Sequence, residues 1–102
     1  MTREYIAVVL EETPLSLREL AMSCAVSEEW IIAHVQAGVL AAPPETDPMQ
    51  WRFSGPALRR TRRLSSVERD FDANPELAGL VADLFEELER LRSRLRRSGL
   101  ED

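Results

Sequence analysis

The chain has 102 residues with a formal net charge of −5, and its 44% hydrophobic and 30% charged residues are typical of one small globular domain. No apolar run approaches the roughly 20 residues of a membrane-spanning helix, and the N-terminus lacks the pattern of a signal peptide, so we expect a cytoplasmic protein without membrane contact. A single cysteine, a single histidine and four scattered glycines offer no disulfide, metal cluster, catalytic triad or phosphate-binding loop, so we expect no enzyme and no cofactor.

A strand and a capped helix are predicted at the start of the chain. Residues 4–10 are rich in β-branched and aromatic side chains and end before a Glu-Glu-Thr-Pro segment, which predicts a strand. Ser16 and Glu19 have the spacing of a capping box, in which the serine hydroxyl accepts from a helix amide and the glutamate bonds back to the serine amide. The helix that they open is expected to end near Cys24.

The second helix has an acidic start. Ser27 is its predicted cap, and Glu28 and Glu29 follow at the positive end of the helix dipole. Gly38 occupies the position after the helix where a left-handed backbone conformation is common. Only a few residues connect this helix to the first, so the pair is typical of a helix-turn-helix motif.

A small hairpin, the wing, is predicted next. Val39 and Leu40 lead into one strand, and residues 42–48 form a loop because they contain three prolines, which do not join the interior of a sheet. Residues 50–53 alternate between polar and apolar side chains and predict the returning strand. The sequence therefore predicts a winged helix-turn-helix.

An arginine-rich helix follows the wing. Ser54 is its predicted cap, and apolar or small residues recur at three- and four-residue steps as far as Phe71, which predicts a buried face. The arginines of the opposite face are expected to lie in solvent and to pair locally with Glu68, Asp70 and Asp72. These arginines are Arg59, Arg60, Arg62, Arg63 and Arg69.

The last helix carries a continuous heptad pattern. Asn74 caps it, and Leu80 and Phe85 widen the apolar stripe of its first half, which is expected to pack on the domain body. The narrower second half predicts a homodimer, parallel or antiparallel, through this helix. Residues 1–73 are thus expected to form the winged helix-turn-helix domain and residues 74–102 the dimerising helix. The heptad seam consists of Leu77, Val81, Leu84, Leu88, Leu91 and Leu95.

The charge of the motif argues against DNA binding. Residues 1–50 contain two arginines against eight acids, and the second helix, which would enter the major groove of DNA, contains neither lysine nor arginine. Because phosphate neutralisation provides most non-specific DNA affinity, we expect this surface to face a protein partner. The alternative is a transcription regulator that grips phosphate through the basic segment after the wing. Its contacts would be Arg52, Arg59, Arg60, Arg62 and Arg63.

Two sets of residues occur in a distinctive order and spacing along the chain. The first set comprises residues 16–20, 26–27, 38–40, 51–54 and 57–60. The second set comprises residues 62–64, 70–71, 74, 79–80, 84 and 91–95. The first set resembles the winged helix-turn-helix of the MerR superfamily. The second set looks like the continuation found in the CbpM-type chaperone-modulator family. The resemblance covers nearly the whole chain. It implies a mainly α fold with a small β wing, a MerR-like winged helix-turn-helix followed by a long C-terminal helix.

The resemblance also implies a function. It implies a bacterial cytoplasmic protein that binds the J-domain of a CbpA/DnaJ-type co-chaperone and prevents it from stimulating its DnaK-type chaperone. A J-domain presents a basic helix to its chaperone, and an acidic modulator can cover that helix by complementary potential. The acidic candidates for this contact are Glu28, Glu29, Asp83, Glu86, Glu87 and Glu89.

Overall fold

The computed structural model describes residues 14–99, so the strand predicted over residues 4–10 lies outside the described residues. The described part is mainly helical with one small antiparallel sheet, which confirms the predicted fold class, a winged helix-turn-helix followed by a long helix. In chain order its elements are β1 (Leu15–Ser16), α1 (Leu17–Cys24), α2 (Glu28–Gln36), a 3₁₀ turn (Pro48–Gln50), β2 (Arg52–Phe53), α3 (Gly55–Phe71) and α4 (Pro75–Ser98).

The α-helices of residues 14–99 begin at the predicted capping residues. Ser16, Ser27, Ser54 and Asn74 each accept a hydrogen bond from the backbone amide three residues further on. The capping box is also present, because the Ser16 amide donates to Glu19 Oε1 at 2.8 Å. This bond is the main reason why the pKa of Glu19 is lowered, and the hydroxyl of Ser16 lowers it further. These bonds satisfy groups that a helix start leaves without partners. Local sequence therefore determines where each helix begins.

The predicted hairpin is wrong in one strand. β2 pairs with β1, with Leu15 opposite Phe53, rather than with Val39 and Leu40. The amides of Val39 and Leu40 instead donate to the carbonyl oxygen of His34, at 3.1 and 3.3 Å, and close the end of α2. Because those amides are already bonded, they do not form a ladder, and β2 pairs with the segment that leads into α1.

The core lies where α1, α2 and α3 meet. Leu20, Ile31 and Leu64 are completely buried, one from each helix, together with Thr61, whose hydroxyl donates to a backbone carbonyl oxygen one turn earlier in α3. Phe71 departs from the predicted buried face of α3, since its side chain is 77% exposed. The last buried residue of that helix lies one turn earlier, so α3 extends past the core at its C-terminal end.

The packing of α4 on α3 uses small residues rather than leucines. Ala78, Gly79 and Ala82 are the buried residues of α4. The prediction that Leu80 and Phe85 pack on the domain body is wrong for Leu80, which is 56% exposed, whereas Phe85 is 45% exposed and its ring meets the guanidinium of Arg63 on α3. Small side chains allow the two helix backbones to approach closely at these positions.

Gly79 is the tightest point of this packing. A Cβ atom added there would lie 2.8 Å from Cγ1 of Val39. Val39 is buried and β-branched, so its side chain has little freedom to move aside. The segment that follows α2 thus packs against α4 at a position where a side chain does not fit.

We predict that Gly79→Ala destabilises the protein. Alanine is favoured over glycine in a helix by about 1 kcal/mol, but the methyl group would overlap Val39 at a cost of about 1–3 kcal/mol. Chemical denaturation should therefore show a net loss of unfolding free energy. Val39→Ala removes the obstructing methyl groups, so the double variant should lose less than the sum of the single variants. Strict additivity would show that the two positions are not in contact.

Candidate partner-binding surface

The six predicted acidic residues lie on two different helices. Glu28 and Glu29 form the first turn of α2, whereas the other four lie in the middle of α4. The two sets have different surroundings. That difference decides how much negative charge each set can present to a partner.

Arg60 of α3 binds two of the acids of α4. Its Nη1 lies 2.9 Å from both Asp83 Oδ1 and Glu86 Oε2, and its Nε donates to the carbonyl oxygen of Val39 at 2.7 Å. One guanidinium therefore joins α3, α4 and the segment after α2. Burial alone would lower the pKa of Arg60, but the hydrogen bonds and charge attraction of Glu86 and Asp83 outweigh it and raise that pKa.

Arg63 makes the next contact, one turn further along α3. Its Nη1 and Nη2 lie 3.3 and 3.1 Å from the two carboxylate oxygens of Glu89, a bidentate pairing. Its guanidinium carbon also lies 5.1 Å from the centroid of the Phe85 ring, within the range of a cation–π contact. Glu87 forms an ion pair with Arg90 on the same helix. Three arginines of the chain itself therefore pair with these four acids of α4 and offset three of their four charges.

The predicted local pairing of the arginines of α3 is wrong for Arg60 and Arg63. Glu68 contacts His34 of α2 instead, and Asp70 pairs with Arg69 at 3.6 Å. The reason is spacing, because residues pair along a helix when they are three or four positions apart and Glu68 is five positions from Arg63. The acids of α4 lie alongside and are the nearer partners.

The outward face of α2 has a different composition. Glu29, Ala33 and Gln36 recur at i, i+4 and i+7 and are exposed, with Glu28 half-buried beside them. This is the face that a DNA-binding helix-turn-helix turns towards the major groove. The helix contains no arginine, and its glutamates lie at the N-terminus, where they offset the positive end of the dipole. Such a face repels phosphate.

The five arginines of the DNA-binding alternative are divided between two roles. Arg60 and Arg63 form the ion pairs with α4. Arg52, Arg59 and Arg62 are exposed, although Arg52 and Arg62 each donate to a backbone carbonyl oxygen, at 2.7 and 3.4 Å. Part of the basic surface is therefore occupied within the chain.

The heptad seam of α4 lies on the side of the helix that faces away from α3. At 3.6 residues per turn, its centre is about 160° around the helix from the residues that contact α3. Val81 is half-buried, and the leucines of the seam are between 43% and 62% exposed. A contiguous apolar stripe on a surface indicates an interaction site. Its exposed members are Leu77, Leu84, Leu88, Leu91 and Leu95.

His34, the single histidine of the chain, makes a polar contact that the sequence did not indicate. The side chain is buried, and its Nε2 lies 2.5 Å from Glu68 Oε2, while Nδ1 lies 2.7 Å from the carbonyl oxygen of Trp30. His34 and Glu68 are 34 residues apart on different helices. No local spacing could have indicated that pair.

Two kinds of site are missing from the part of the chain that the structure describes. Among residues 14–99, no three His, Cys, Asp or Glu side chains come together as they would around a metal ion. None of the helices in that range combines the length and apolar character needed to cross a membrane.

Comparison with known proteins places the chain in a family. Residues 15–98 match the family described as "MerR HTH family regulatory protein". The chain is 30% identical to the chaperone modulatory protein CbpM of Coxiella burnetii (strain Dugway 5J108-111) over 98 residues, which are 94% of this chain and 92% of that protein. It is 29% identical to the chaperone modulatory protein CbpM of Pseudomonas entomophila (strain L48) over 79 residues, 78% of this chain and 77% of that protein. No solved structure gives a significant match. The chain therefore belongs to the MerR-type helix-turn-helix regulatory proteins and, among them, to the CbpM family of chaperone modulators.

Proposed function

We propose that this protein binds the J-domain of a CbpA/DnaJ-type co-chaperone in the bacterial cytoplasm and so prevents it from stimulating its DnaK-type chaperone. The name of the relatives, chaperone modulatory protein, supports the general role. The observation that carries the finer proposal is the outward face of α2, which holds Glu28 and Glu29 and no arginine. A helix-turn-helix with this face suits a basic protein surface better than it suits DNA.

Inhibition of this kind needs no catalysis. A J-domain presents a basic helix to its chaperone, and a modulator that covers this helix keeps the chaperone away by occupancy. Complementary charge accelerates the encounter and selects the partner. The acids of α4 add less to this attraction, because Arg60, Arg63 and Arg90 already pair with them.

We further propose that α4 pairs with α4 of a second copy through the heptad seam. The support is the exposure of the seam leucines on the face opposite α3. Pairing would remove these side chains from water, at about 25 cal/mol for each Å² of apolar surface. Each dimer would then carry two α2 faces.

A MerR-type DNA-binding regulator is the alternative function. The match of residues 15–98 to a regulatory helix-turn-helix family favours it, and Arg52, Arg59 and Arg62 are exposed. Such a protein would form a specific operator complex whose affinity falls steeply with salt. The ion pairs of Arg60 and Arg63 count against it, because those two arginines would have to leave α4 to reach phosphate.

Charge reversal on α2 tests the J-domain proposal. The wild-type protein should bind an isolated J-domain, and Glu29→Arg should weaken the Kd on the order of fivefold to tenfold, since it replaces an attraction by a repulsion. Glu76→Arg is the matched control. Glu76 is likewise the exposed second residue of a helix, so reversing its charge has the same effect on a helix dipole. It lies on α4, outside the proposed contact surface of α2. Isothermal titration calorimetry measures both affinities.

Three results would count against this proposal. If the wild-type protein does not bind a J-domain, the proposed function is wrong. An equal loss in the Glu29 and Glu76 variants would trace the effect to net charge rather than to α2. Binding that is insensitive to salt would exclude the electrostatic mechanism, because exposed charges are screened beyond about 8 Å at physiological ionic strength.

A mobility-shift measurement separates the two functions. The J-domain proposal predicts no specific DNA complex at physiological salt. A specific complex that Arg59→Glu abolishes would favour the regulator, because Arg59 is an exposed arginine outside the ion pairs with α4.

Aspartate substitutions test the dimer. Leu88→Asp combined with Leu91→Asp should give monomers, because two carboxylates would have to be buried in the middle of an apolar seam. Met22→Asp is the control, since Met22 is 73% exposed on α1, away from the seam, and its replacement should leave the dimer intact. Sedimentation equilibrium reports the mass of each species. A wild-type monomer, or a dimer that survives the seam substitutions, would refute the proposed interface.

A further inference from the structure

His34 and Glu68 form a largely buried contact between α2 and α3. The histidine side chain is 5% exposed and the glutamate side chain 18% exposed, and Nε2 lies 2.5 Å from Glu68 Oε2. On the other side of the ring, Nδ1 lies 2.7 Å from the carbonyl oxygen of Trp30, one turn earlier in α2. Both ring nitrogens therefore face oxygen atoms.

These contacts determine how many protons the pair must hold. A carbonyl oxygen only accepts hydrogen bonds, so Nδ1 must carry a hydrogen. An ionised carboxylate also only accepts, so Nε2 must carry a second hydrogen when Glu68 is charged. Without that second proton, the lone pair of Nε2 would face a carboxylate oxygen at 2.5 Å, and the buried contact would become repulsive.

Trp30 provides an independent argument for the charged ring. Its indole stacks on the imidazole, with the two centroids 3.6 Å apart and the planes inclined by 20°. The face of an indole attracts a cation. The imidazolium form of His34 thus satisfies all three of its contacts, with the backbone carbonyl, the carboxylate and the indole.

Among the charged groups on the elements around α2, Glu68 is the one in contact with the ring. The others are exposed or bound elsewhere. On α1 these are Arg18, which is exposed, and Glu19, which bonds Ser16. On α3, Arg59 is exposed, Arg62 donates to the Ser23 carbonyl oxygen and Arg69 pairs with Asp70. Arg60 binds Val39 together with Asp83 and Glu86 of α4, and Arg63 binds Glu89.

We propose that the His34–Glu68 contact is a proton-dependent link that holds α2 on α3, so that loss of the second proton loosens the helix that carries Glu28 and Glu29. Loss of that proton removes the donor from the contact, because only the protonated ring donates to the carboxylate. Its effect on partner binding rests on the proposed function, whereas the link itself does not. The outward face of α2, which is proposed to meet the partner, would therefore respond to pH through this link.

Glu68→Gln is the decisive variant. An amide can donate to Nε2 of a neutral histidine, so this variant keeps the contact without the additional proton. As the pH is raised and the second proton is lost, the Tm of the wild-type protein should fall, and that of the variant should fall markedly less. Asp70→Asn is the matched control, because it removes an exposed carboxylate from the same helix and should keep the wild-type pH dependence. Equal pH dependence in all three proteins would overturn the proposal.

The protonation of the ring can be observed directly. His34 is the only histidine of the chain, so a ¹⁵N spectrum contains one imidazole. While the contact is intact, both ring nitrogens should be protonated in the wild-type protein, whereas Nδ1 alone should be protonated in Glu68→Gln. A ring that is neutral in the folded wild-type protein at every pH measured would overturn the proposal even if its stability varied with pH.

Partner binding provides the last measurement. The ratio of the J-domain Kd of the wild-type protein to that of Glu68→Gln should rise with pH, and taking the ratio removes the titration of the J-domain itself. A constant ratio would overturn the regulation of partner binding. Failure of the wild-type protein to bind the J-domain at any pH would instead refute the proposed function, and the Tm and ¹⁵N measurements would still decide the link.

Discussion

The contacts of the Arg60 guanidinium are the interaction on which the arrangement of the other elements depends. With a side chain 18% exposed, Arg60 bonds the Val39 carbonyl oxygen and two carboxylates of α4, and so joins three parts of the chain. The planar guanidinium can meet several acceptors at once in a fixed geometry, which a lysine ammonium does not do. Val39 in turn packs against Gly79, where a Cβ would lie 2.8 Å away. Charge pairing and close packing therefore hold α4 in the same place.

That arrangement also distributes the charge of the surface. α3 and α4 hold most of the exposed charge of the described residues, but Arg60 and Arg63 pair with the acids of α4 and the two helices partly neutralise each other. The outward face of α2 keeps its negative charge because it has acids and no arginine. A motif whose build suits DNA therefore presents an acidic surface on the helix that would face DNA, so the fold alone does not define its partner.

Features that depend on neighbouring residues were predictable. The capping serines and Asn74 were correctly identified because a cap bonds an amide three residues away, and the helices follow from their periodicity. The acidic character of α2 is also a local property. Features that depend on distant partners were not predictable. β2 pairs with β1, whereas the amides of Val39 and Leu40 bond the His34 carbonyl oxygen, and α4 turns Ala78 and Ala82 towards α3.

The sequence by itself determined the order, ends and amphipathic character of the helices and the unequal distribution of charge, because these properties follow from residues within one or two helical turns. Only the tertiary structure decided which charges are compensated, which face of α4 is covered and what His34 contacts. The physical reason is that ion pairs and close packing act over a few ångströms in space and are indifferent to separation along the chain. Arg60 lies 26 residues from Glu86 and His34 lies 34 residues from Glu68, and folding brings each pair into contact.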